Sequence, residues 1–271
     1  MPELPEVETI ARGMQRHLAG VRIVELWQGP LRNRLSASPA ALKKKLLGAV
    51  IAGARRVGKQ IVVTLQETDG SPRADWVIHL GMTGRISICP PEEPRLPHTH
   101  LVASLSDGRE LRFADPRRFG RLQVMEPEGA QAPGAEPLEI EAAAFAALFH
   151  PRRTPIKSAL LNQRLMSGVG NIYADEALFR AGIRPSRLAS SLTRAELAAL
   201  HHALQQVLRE AVAAGGSSIS DYADTEGRAG LFQFRHNVYQ KTGRPCPVCQ
   251  RAIRRVVIGG RSSHFCPGCQ K

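Results

Sequence analysis

The chain opens with Met1-Pro2-Glu3-Leu4-Pro5-Glu6-Val7-Glu8-Thr9, which places a proline behind the initiator methionine and a carboxylate behind that proline. Removal of Met1 would make Pro2 a secondary amine, and because an α-amino group has a pKa of about 7.7–8.0, a fraction of it is nucleophilic at neutral pH. A secondary amine that attacks a carbonyl-level carbon gives an iminium, which can act as an electron sink. Glu3 is then placed to move protons, so this stretch predicts a reactive amino terminus.

The residues that follow predict a buried helix that anchors this terminus. Pro5 suits a first helical turn, where its missing N–H is not needed. Gly20 predicts the end of the helix. Four apolar residues recur at spacings of three and four: Val7, Ile10, Met14 and Leu18. Taken alone, the stretch also fits an ordinary helix start decorated with glutamates, so the chemistry needs support from the rest of the chain.

The 271-residue chain carries a formal net charge of +13, which favours a polyanionic partner such as nucleic acid. Its length suits one large or two medium domains. No run approaches the roughly 20 apolar residues of a membrane span, and the amino terminus has no basic region followed by an apolar core. We therefore expect a cytoplasmic protein that does not bind membranes.

The first half of the chain is predicted to be rich in strands. Asp107-Gly108 is a hairpin turn signal. Short β-branched or apolar runs occur at 21–27, 61–65, 76–80 and 101–105. Several short strands at this spacing predict a sandwich or barrel.

Three loops of this half contain charged or large apolar residues that are candidates for contact with a nucleic acid. Lys59 follows Gly58 on a turn before a strand, where a lysine can reach a phosphate or a sugar, although a surface lysine would look the same. Met82 lies between glycines in 79–84, and Phe119 follows two arginines in 115–120. A methionine and a phenylalanine on loops can fill the space that a flipped base leaves in a duplex. Core packing and a solvated loop are the alternatives.

The second half changes character after the Pro- and Gly-rich segment 126–137, which predicts a linker. Helices are expected at 140–149, 155–161 and 172–181, and from Thr193, which forms a capping box with Glu196. Asn171 is predicted to be the N-cap of the third helix, after Gly168-Val169-Gly170, and N–H groups at a helix start bind phosphate. An ordinary capped turn would have the same pattern.

Four of the five cysteines form two C-x2-C pairs: Cys246, Cys249, Cys266 and Cys269. This spacing indicates a closed tetrahedral Zn²⁺ site. Because four thiolates leave no open coordination position, we predict one structural Zn²⁺ and disfavour a zinc-dependent hydrolase. The segment between the pairs is expected to form a β-hairpin with Arg261 at its tip.

Five separated motifs resemble those of the formamidopyrimidine-DNA glycosylases, bacterial base-excision enzymes that use an N-terminal proline. They are the amino-terminal string, the Gly-Lys turn, the Pro-Arg-Arg-Phe loop, the Gly-Val-Gly-Asn helix start and the cysteine quartet. The resemblance implies an α+β fold in four parts: an N-terminal catalytic β-sandwich domain with an amino-terminal helix at 1–126, a linker at 127–137, a helix-two-turn-helix domain with a lesion loop at 138–235, and a zinc-ribbon-like finger at 236–271.

The resemblance also implies roles for individual residues. The catalytic set is Pro2 as Schiff-base nucleophile, Glu3 as proton shuttle, Lys59 and Arg261. The wedge that enters the base stack is Met82, Phe119 and Arg117. Contacts to DNA are implied for His98, Arg117, Arg118, Lys157, Asn171 and Arg261. A mobile loop over 217–234 would close on the everted base, with Ser218 and Tyr222 as candidate readers.

The implied activity is removal of 8-oxoguanine and formamidopyrimidines from duplex DNA, followed by strand cleavage by β,δ-elimination. The partner is double-stranded DNA containing oxidised bases or abasic sites, bound by a monomer. Two alternatives stay open at this point: an endonuclease VIII-like glycosylase for oxidised pyrimidines, which usually has Gly where this chain has Leu4, and a non-enzymatic damaged-DNA-binding protein.

Overall fold

The computed structural model describes residues 2–29, 38–219 and 222–271. The chain divides into two compact units: unit 1 comprises Met1–Gln131 and Ala214–Leu231, and unit 2 comprises Ala132–Ala213 and Phe232–Lys271. The break at Gln131 falls inside the segment 127–137. Among the described residues, no helix combines the length and the apolar character needed to cross a membrane.

Unit 1 begins with the predicted helix, α1 (Leu4–Leu18). Its start is a capping box, because the Glu3 backbone N–H donates to Glu6 Oε2 at 2.8 Å and the Glu3 side chain accepts from the backbone N–H of Glu6. The apolar stripe is confirmed, since Val7, Ile10, Met14 and Leu18 are at most 1 % exposed. The stripe packs into the main hydrophobic core of the unit, and this burial fixes the start of the helix.

The remaining elements described in unit 1 are one further helix and eight strands: α2 (Pro39–Leu46), β1 (Ile23–Gln28), β2 (Val50–Val57), β3 (Gln60–Gln66), β4 (Pro72–His79), β5 (Arg85–Cys89), β6 (Thr99–Leu105), β7 (Glu110–Ala114) and β8 (Arg121–Met125). They form two antiparallel four-stranded sheets with the orders β1-β6-β7-β5 and β2-β3-β4-β8. The core draws residues from both sheets and from α1, so the sandwich is confirmed. The turn at Asp107-Gly108 joins β6 to β7 as predicted, with Gly108 at φ +87°.

Three of these strands were not predicted from the sequence: β2, β5 and β8. Their burial patterns mix buried and half-buried positions, with exposed ones in β2 and β8, and none alternates cleanly. Arginines occupy β2 at Arg55 and Arg56, and begin β5 and β8. A period of two is the main signal for a half-buried strand, so these segments carried little of it.

Unit 2 contains four α-helices and one hairpin: α3 (Ala142–Phe149), α4 (Ile156–Leu161), α5 (Asn171–Arg180), α6 (Arg194–Ala213), β9 (Arg254–Ile258) and β10 (Arg261–Phe265). The predicted capping box is confirmed, because Thr193 N donates to Glu196 Oε2 at 2.8 Å and Glu196 N donates to Thr193 Oγ1 at 3.2 Å. The N-cap of α5 is Gly170, so the prediction for Asn171 was wrong: it is the first helical residue. Helix ends shift easily by one residue.

Residues 214–231, which we call the recognition loop, group with unit 1, although the sequence had placed them with the helical domain. Its ends meet where Leu231 N donates to Ala214 O at 2.9 Å. Gly215 and Gly216 have φ values of +73° and +83°, a left-handed conformation in which glycine is favoured. The glycine pair therefore forms the turn at the start of this loop.

Candidate functional site

The amino terminus is held at the start of α1. Pro2 is half-buried and directly precedes Glu3, which is 4 % exposed and is the N-cap residue of the helix. A buried carboxylate beside a terminal amine is placed to exchange protons with a group bound there. The structure thus places Pro2 and Glu3, two of the four predicted catalytic residues, next to each other at the capped start of α1.

Glu6 was missed as a functional candidate, because acidic residues in a first helical turn are common. Its buried carboxylate accepts from Glu3 N and, through Oε1, from Ser217 N at 2.7 Å. Charge-assisted bonds of this type are about twice as strong as neutral ones. One side chain therefore joins the first turn of α1 to the start of the recognition loop.

The two candidate base readers form hydrogen bonds within the recognition loop, and the Tyr222 hydroxyl also lies 3.4 Å from Glu6 O on α1. Ser218 Oγ donates to Tyr222 O at 2.8 Å and accepts from Gly230 N at 2.9 Å. Tyr222 OH donates to Gly215 O at 3.0 Å. Burial, and then the negative charge of Glu6, raises the pKa of Tyr222 well above its ordinary value. In this structure both hydroxyls hold the loop together.

The structure brings the three predicted wedge residues together on adjacent loops. Met82 and Phe119 are 40 % and 46 % exposed, so both apolar side chains reach the surface. The Arg117 guanidinium lies over the Phe119 ring, 4.8 Å from its centroid. Arg117 N donates to Thr83 Oγ1 at 3.3 Å, which ties the second loop to the first. The result is an exposed apolar tip beside a guanidinium.

Asp115 organises these loops and was not predicted. It is fully buried, and its carboxylate accepts from Thr83 Oγ1 at 2.6 Å and from Gly120 N at 2.7 Å. His98 and Arg118 are joined to its backbone, since Asp115 N donates to His98 O and Arg118 N donates to Asp115 O. The only signal in the sequence was its position between the β7 run and Pro116.

His98 and Arg118 are exposed, and both adopt left-handed backbone conformations, with φ values of +63° and +55°. Such conformations cost free energy for residues other than glycine and concentrate at functional sites. The backbone hydrogen bonds with Asp115 stabilise these strained conformations. Both side chains are thereby presented to solvent.

Lys59 lies half-buried in the turn between β2 and β3, where Gly58 has a φ of +59°. The pKa of His79 is lowered, first by burial and then by the nearby charges of Arg121 and Lys59. His79 Nδ1 accepts from Gly81 N at 2.9 Å, at the base of the Met82 loop. A neutral His79 therefore fixes this loop, a role that the string His-Leu-Gly-Met did not disclose.

In unit 2, Asn171 lies in the first turn of α5, where N–H groups are not all used by the helix. Its side-chain oxygen Oδ1 is buried and, among the described residues, has no hydrogen-bond partner. Leaving such an atom unpaired costs free energy, so the conformation serves something besides helix stability. The donors that suit an anion here are the N–H groups of the helix start, not this acceptor oxygen.

Lys157, expected to contact DNA, is instead fully buried. Its Nζ donates to Asp175 Oδ1 at 2.6 Å and to Ser262 O at 2.7 Å. Asp175 Oδ2 in turn accepts from His264 N at 2.9 Å and lies 3.0 Å from His264 Nδ1. The lysine thus joins α4 and α5 to β10. A helical sequence pattern cannot reveal a carboxylate partner 18 positions away.

Arg261 is exposed at the start of β10, after the turn at Gly259-Gly260, as the sequence predicted. The two glycines have φ values of +56° and +75°. A Cβ on Gly259 would lie 2.9 Å from Ser158 Oγ, so the turn sits against α4. Because Lys157 holds the carbonyl of the next residue, Ser262, the same helix positions the arginine.

Glu176 was also missed. Its buried carboxylate accepts three consecutive backbone N–H groups, of Asn237 at 2.8 Å and of Val238 and Tyr239 at 2.9 Å each. The available signal was a pair of adjacent acidic residues, Asp175 and Glu176, inside a helical pattern of a basic chain. The two acids fasten separate segments onto α5.

The four predicted metal ligands come together, with their sulfur atoms within 4.8 Å of one another. Cys246 Sγ lies 3.8 Å from Cys269 Sγ, and Cys249 Sγ lies 3.3 Å from Cys266 Sγ. Tetrahedral Zn–S bonds of about 2.3 Å require S–S separations of roughly 3.8 Å. The cluster is therefore compatible with one structural Zn²⁺, held by all four thiolates.

Replacing Lys157 with Ala is expected to destabilise unit 2 by about 3–5 kcal/mol, because it leaves Asp175 buried without its cation. The loss is measured as a lower urea midpoint by far-UV circular dichroism. Arg153→Ala, at an exposed position, is the control, with an expected change within about 0.5 kcal/mol. Equal midpoints for the two variants would contradict the structural role of Lys157.

Three family models match the chain in order: the formamidopyrimidine-DNA glycosylase N-terminal domain at residues 1–122, the formamidopyrimidine-DNA glycosylase H2TH domain at 132–223, and the zinc finger found in FPG and IleRS at 243–271. A formamidopyrimidine-DNA glycosylase of Solibacter usitatus is 47 % identical over 273 residues, covering 100 % of both chains. One of Chloroflexus aggregans is 42 % identical, covering 100 % of this chain and 98 % of its own.

Solved structures agree with these matches. A mutant FPG of Lactococcus lactis in complex with Fapy-dG-containing DNA has a TM-score of 0.90 at 31 % identity, with 100 % of both chains covered. The MutM (FPG) protein of Thermus thermophilus has a TM-score of 0.86 at 41 % identity, covering 99 % of this chain and 98 % of its own. With the sandwich, the helical unit and the cysteine cluster in place, the chain belongs to the formamidopyrimidine-DNA glycosylase family.

Proposed function

We propose that the protein is a bifunctional DNA glycosylase and abasic-site lyase that removes 8-oxoguanine and formamidopyrimidines from duplex DNA. The observation that carries this is the amino terminus, where Pro2 precedes the buried Glu3 at a capped helix start. The relatives bear the glycosylase name, and solved relatives contain DNA with Fapy-dG, an abasic site or carbocyclic 8-oxo-G. We infer that it acts on chromosomal DNA in the bacterial cytoplasm.

After removal of Met1, the Pro2 nitrogen forms a bond to the sugar C1′ while the glycosidic bond breaks and the base leaves with the electron pair and a proton. Opening of the sugar ring gives the iminium, and Glu3 shuttles the protons. Loss of the C2′ proton then breaks the C3′–O bond, and loss of the C4′ proton breaks the C5′–O bond. Hydrolysis frees Pro2 and leaves a one-nucleotide gap with phosphate on both ends.

We assign base eversion to Met82, Phe119 and Arg117. The exposure of the two apolar side chains and the cation–π contact between Arg117 and Phe119 support this role. Aromatic and aliphatic wedges lower the cost of unstacking by filling the vacated space. Arg117 is proposed to probe the base that is left unpaired.

We assign contacts with the DNA backbone to four residues. His98, Arg118 and Arg261 are exposed, and Asn171 lies at the start of α5. We assign Lys59 to the reacting sugar and its phosphate, and Arg261 also to proton transfer during elimination. Lys157 is left out of this set because its ammonium group is fully buried and bound to Asp175.

Borohydride trapping tests the proposal on labelled duplexes that carry either 8-oxoguanine opposite cytosine or an oxidised pyrimidine. We expect a covalent adduct on the 8-oxoguanine duplex that maps to Pro2 by peptide analysis. A Lactococcus lactis relative has been solved with DNA containing an oxidised pyrimidine, so weaker trapping there is compatible. Trapping on the pyrimidine duplex alone, or on neither duplex, would overturn the proposal.

A further inference from the structure

The recognition loop contacts α1 at several points along the helix. Near its start, the Ser217 N–H is held by the Glu6 carboxylate, and a Cβ on Gly216 would lie 2.8 Å from Glu6 Oε1. Further along, Thr225 lies against Gly13, two turns later on the same helix. The helix that carries the catalytic terminus therefore also sets the position of the loop.

The contact between Thr225 and Gly13 is a close one. Thr225 is 2 % exposed, and a Cβ on Gly13 would lie 2.4 Å from Thr225 Oγ1 and 3.2 Å from its Cγ2. Contacts under about 3.0 Å are strongly repulsive for packed atoms. Gly13 thus forms a notch in α1 that receives the threonine side chain.

The backbone of Thr225 is held as well. Ile88 N donates to Thr225 O at 3.0 Å. Ile88 lies on β5, the edge strand of its sheet, where outward N–H groups lack a strand partner. The loop therefore covers part of this edge, and the Ile88 amide reports directly whether Thr225 is seated.

The backbone conformation of α1 does not require glycine at position 13. The residue is within the helix rather than at its end, and glycine in a helix interior costs about 1 kcal/mol relative to alanine. Its φ is not in the left-handed range. The feature that glycine serves is the space that Thr225 fills.

We propose that Gly13 is a specificity-determining position: its notch seats Thr225 and fixes the far end of the recognition loop for excision of a damaged base. Cleavage at an abasic site, which presents no base for the loop to cover, does not depend on this seating. The inference rests on the proposed glycosylase and lyase activities and adds a residue that touches neither DNA nor the reacting atoms.

The test is Gly13→Ala, measured on two duplexes, one with 8-oxoguanine opposite cytosine and one with a preformed abasic site. We expect the single-turnover rate of 8-oxoguanine excision to fall by about tenfold or more, since displacements of about 1 Å can cost a hundredfold. The rate of abasic-site cleavage should stay within about twofold of the wild-type rate, because α1 gains helix propensity and keeps Pro2.

The double variant Gly13→Ala/Thr225→Ala is the matched control, since it removes the two Thr225 atoms nearest to the new methyl group. It should recover excision and restore the slow hydrogen exchange of the Ile88 amide that Gly13→Ala alone is expected to lose. A wild-type protein inactive on both duplexes would refute the proposed function. If the wild-type protein is active, any of three results for Gly13→Ala would refute the proposed role of the notch. These are an unchanged excision rate, unchanged hydrogen exchange of the Ile88 amide, and equal losses of rate on both duplexes.

Discussion

Replacing Pro2 with Gly is expected to lower excision of 8-oxoguanine by at least about a hundredfold, which corresponds to ~2.7 kcal/mol in the activation barrier. The variant replaces a secondary amine with a primary one, whose adduct can lose its N–H proton and with it the fixed positive charge of the iminium. Binding of damaged DNA should persist, because the pyrrolidine ring contributes little contact area. Single-turnover excision and fluorescence anisotropy on the same duplex measure the two quantities.

Pro5→Ala is the matched control, because it alters the other proline of this stretch and leaves the Pro2 amine in place. It should still be trapped by borohydride at Pro2. Intact mass must first show that Met1 has been removed from each protein. Full turnover by the Pro2→Gly variant would show that the secondary amine of Pro2 is not required for excision.

Replacing Cys249 with Ser is expected to unfold the hairpin of β9 and β10 and to weaken DNA binding. Structural Zn²⁺ contributes about 10–16 kcal/mol in small zinc modules, so loss of one of four thiolates removes much of the energy that folds the finger. Arg261 then loses its position. Each neutralised phosphate contributes about 0.9 to the magnitude of the slope of log K against log salt concentration. This slope should therefore become shallower by about 0.9 for every phosphate that the finger no longer binds.

The measurements are zinc content by metal analysis and affinity for an abasic-site duplex across a salt series. Val248→Ser serves as control, because it changes the neighbouring residue, which is 72 % exposed, and keeps all four ligands. It should bind one Zn²⁺ and retain the wild-type slope. A Cys249→Ser protein with the wild-type slope would mean that the finger does not contact the phosphates.

The features that the sequence predicted correctly are local ones. The stripe from Val7 to Leu18, the capping box of Thr193 and Glu196, and the hairpin turn at Asp107-Gly108 each depend on residues a few positions apart. The cysteine quartet is longer in range, but its ligand chemistry restricts the arrangement to one geometry. Such patterns determine helices, turns and metal sites almost without reference to the rest of the chain.

The strands β2, β5 and β8 are edge strands of their sheets, and they were missed because an edge strand depends on its one neighbour more than on its own pattern. Their own residues alternate poorly, and their pairing partners supply the order. The N-cap of α5 was misplaced by one residue for a related reason. Gly170 and Asn171 are both acceptable caps, and the packing of the preceding turn selects between them.

By itself, the sequence determined the four clustered cysteines and the family, and it predicted the reactive terminus and the wedge residues, because these features are written in short motifs. Only the tertiary structure decided that Lys157 is buried against Asp175, that Glu6 holds Ser217, and that Gly13 receives Thr225. These pairs are separated by 18 to more than 200 positions. Their meeting depends on the packing of whole elements, which local periodicity does not encode.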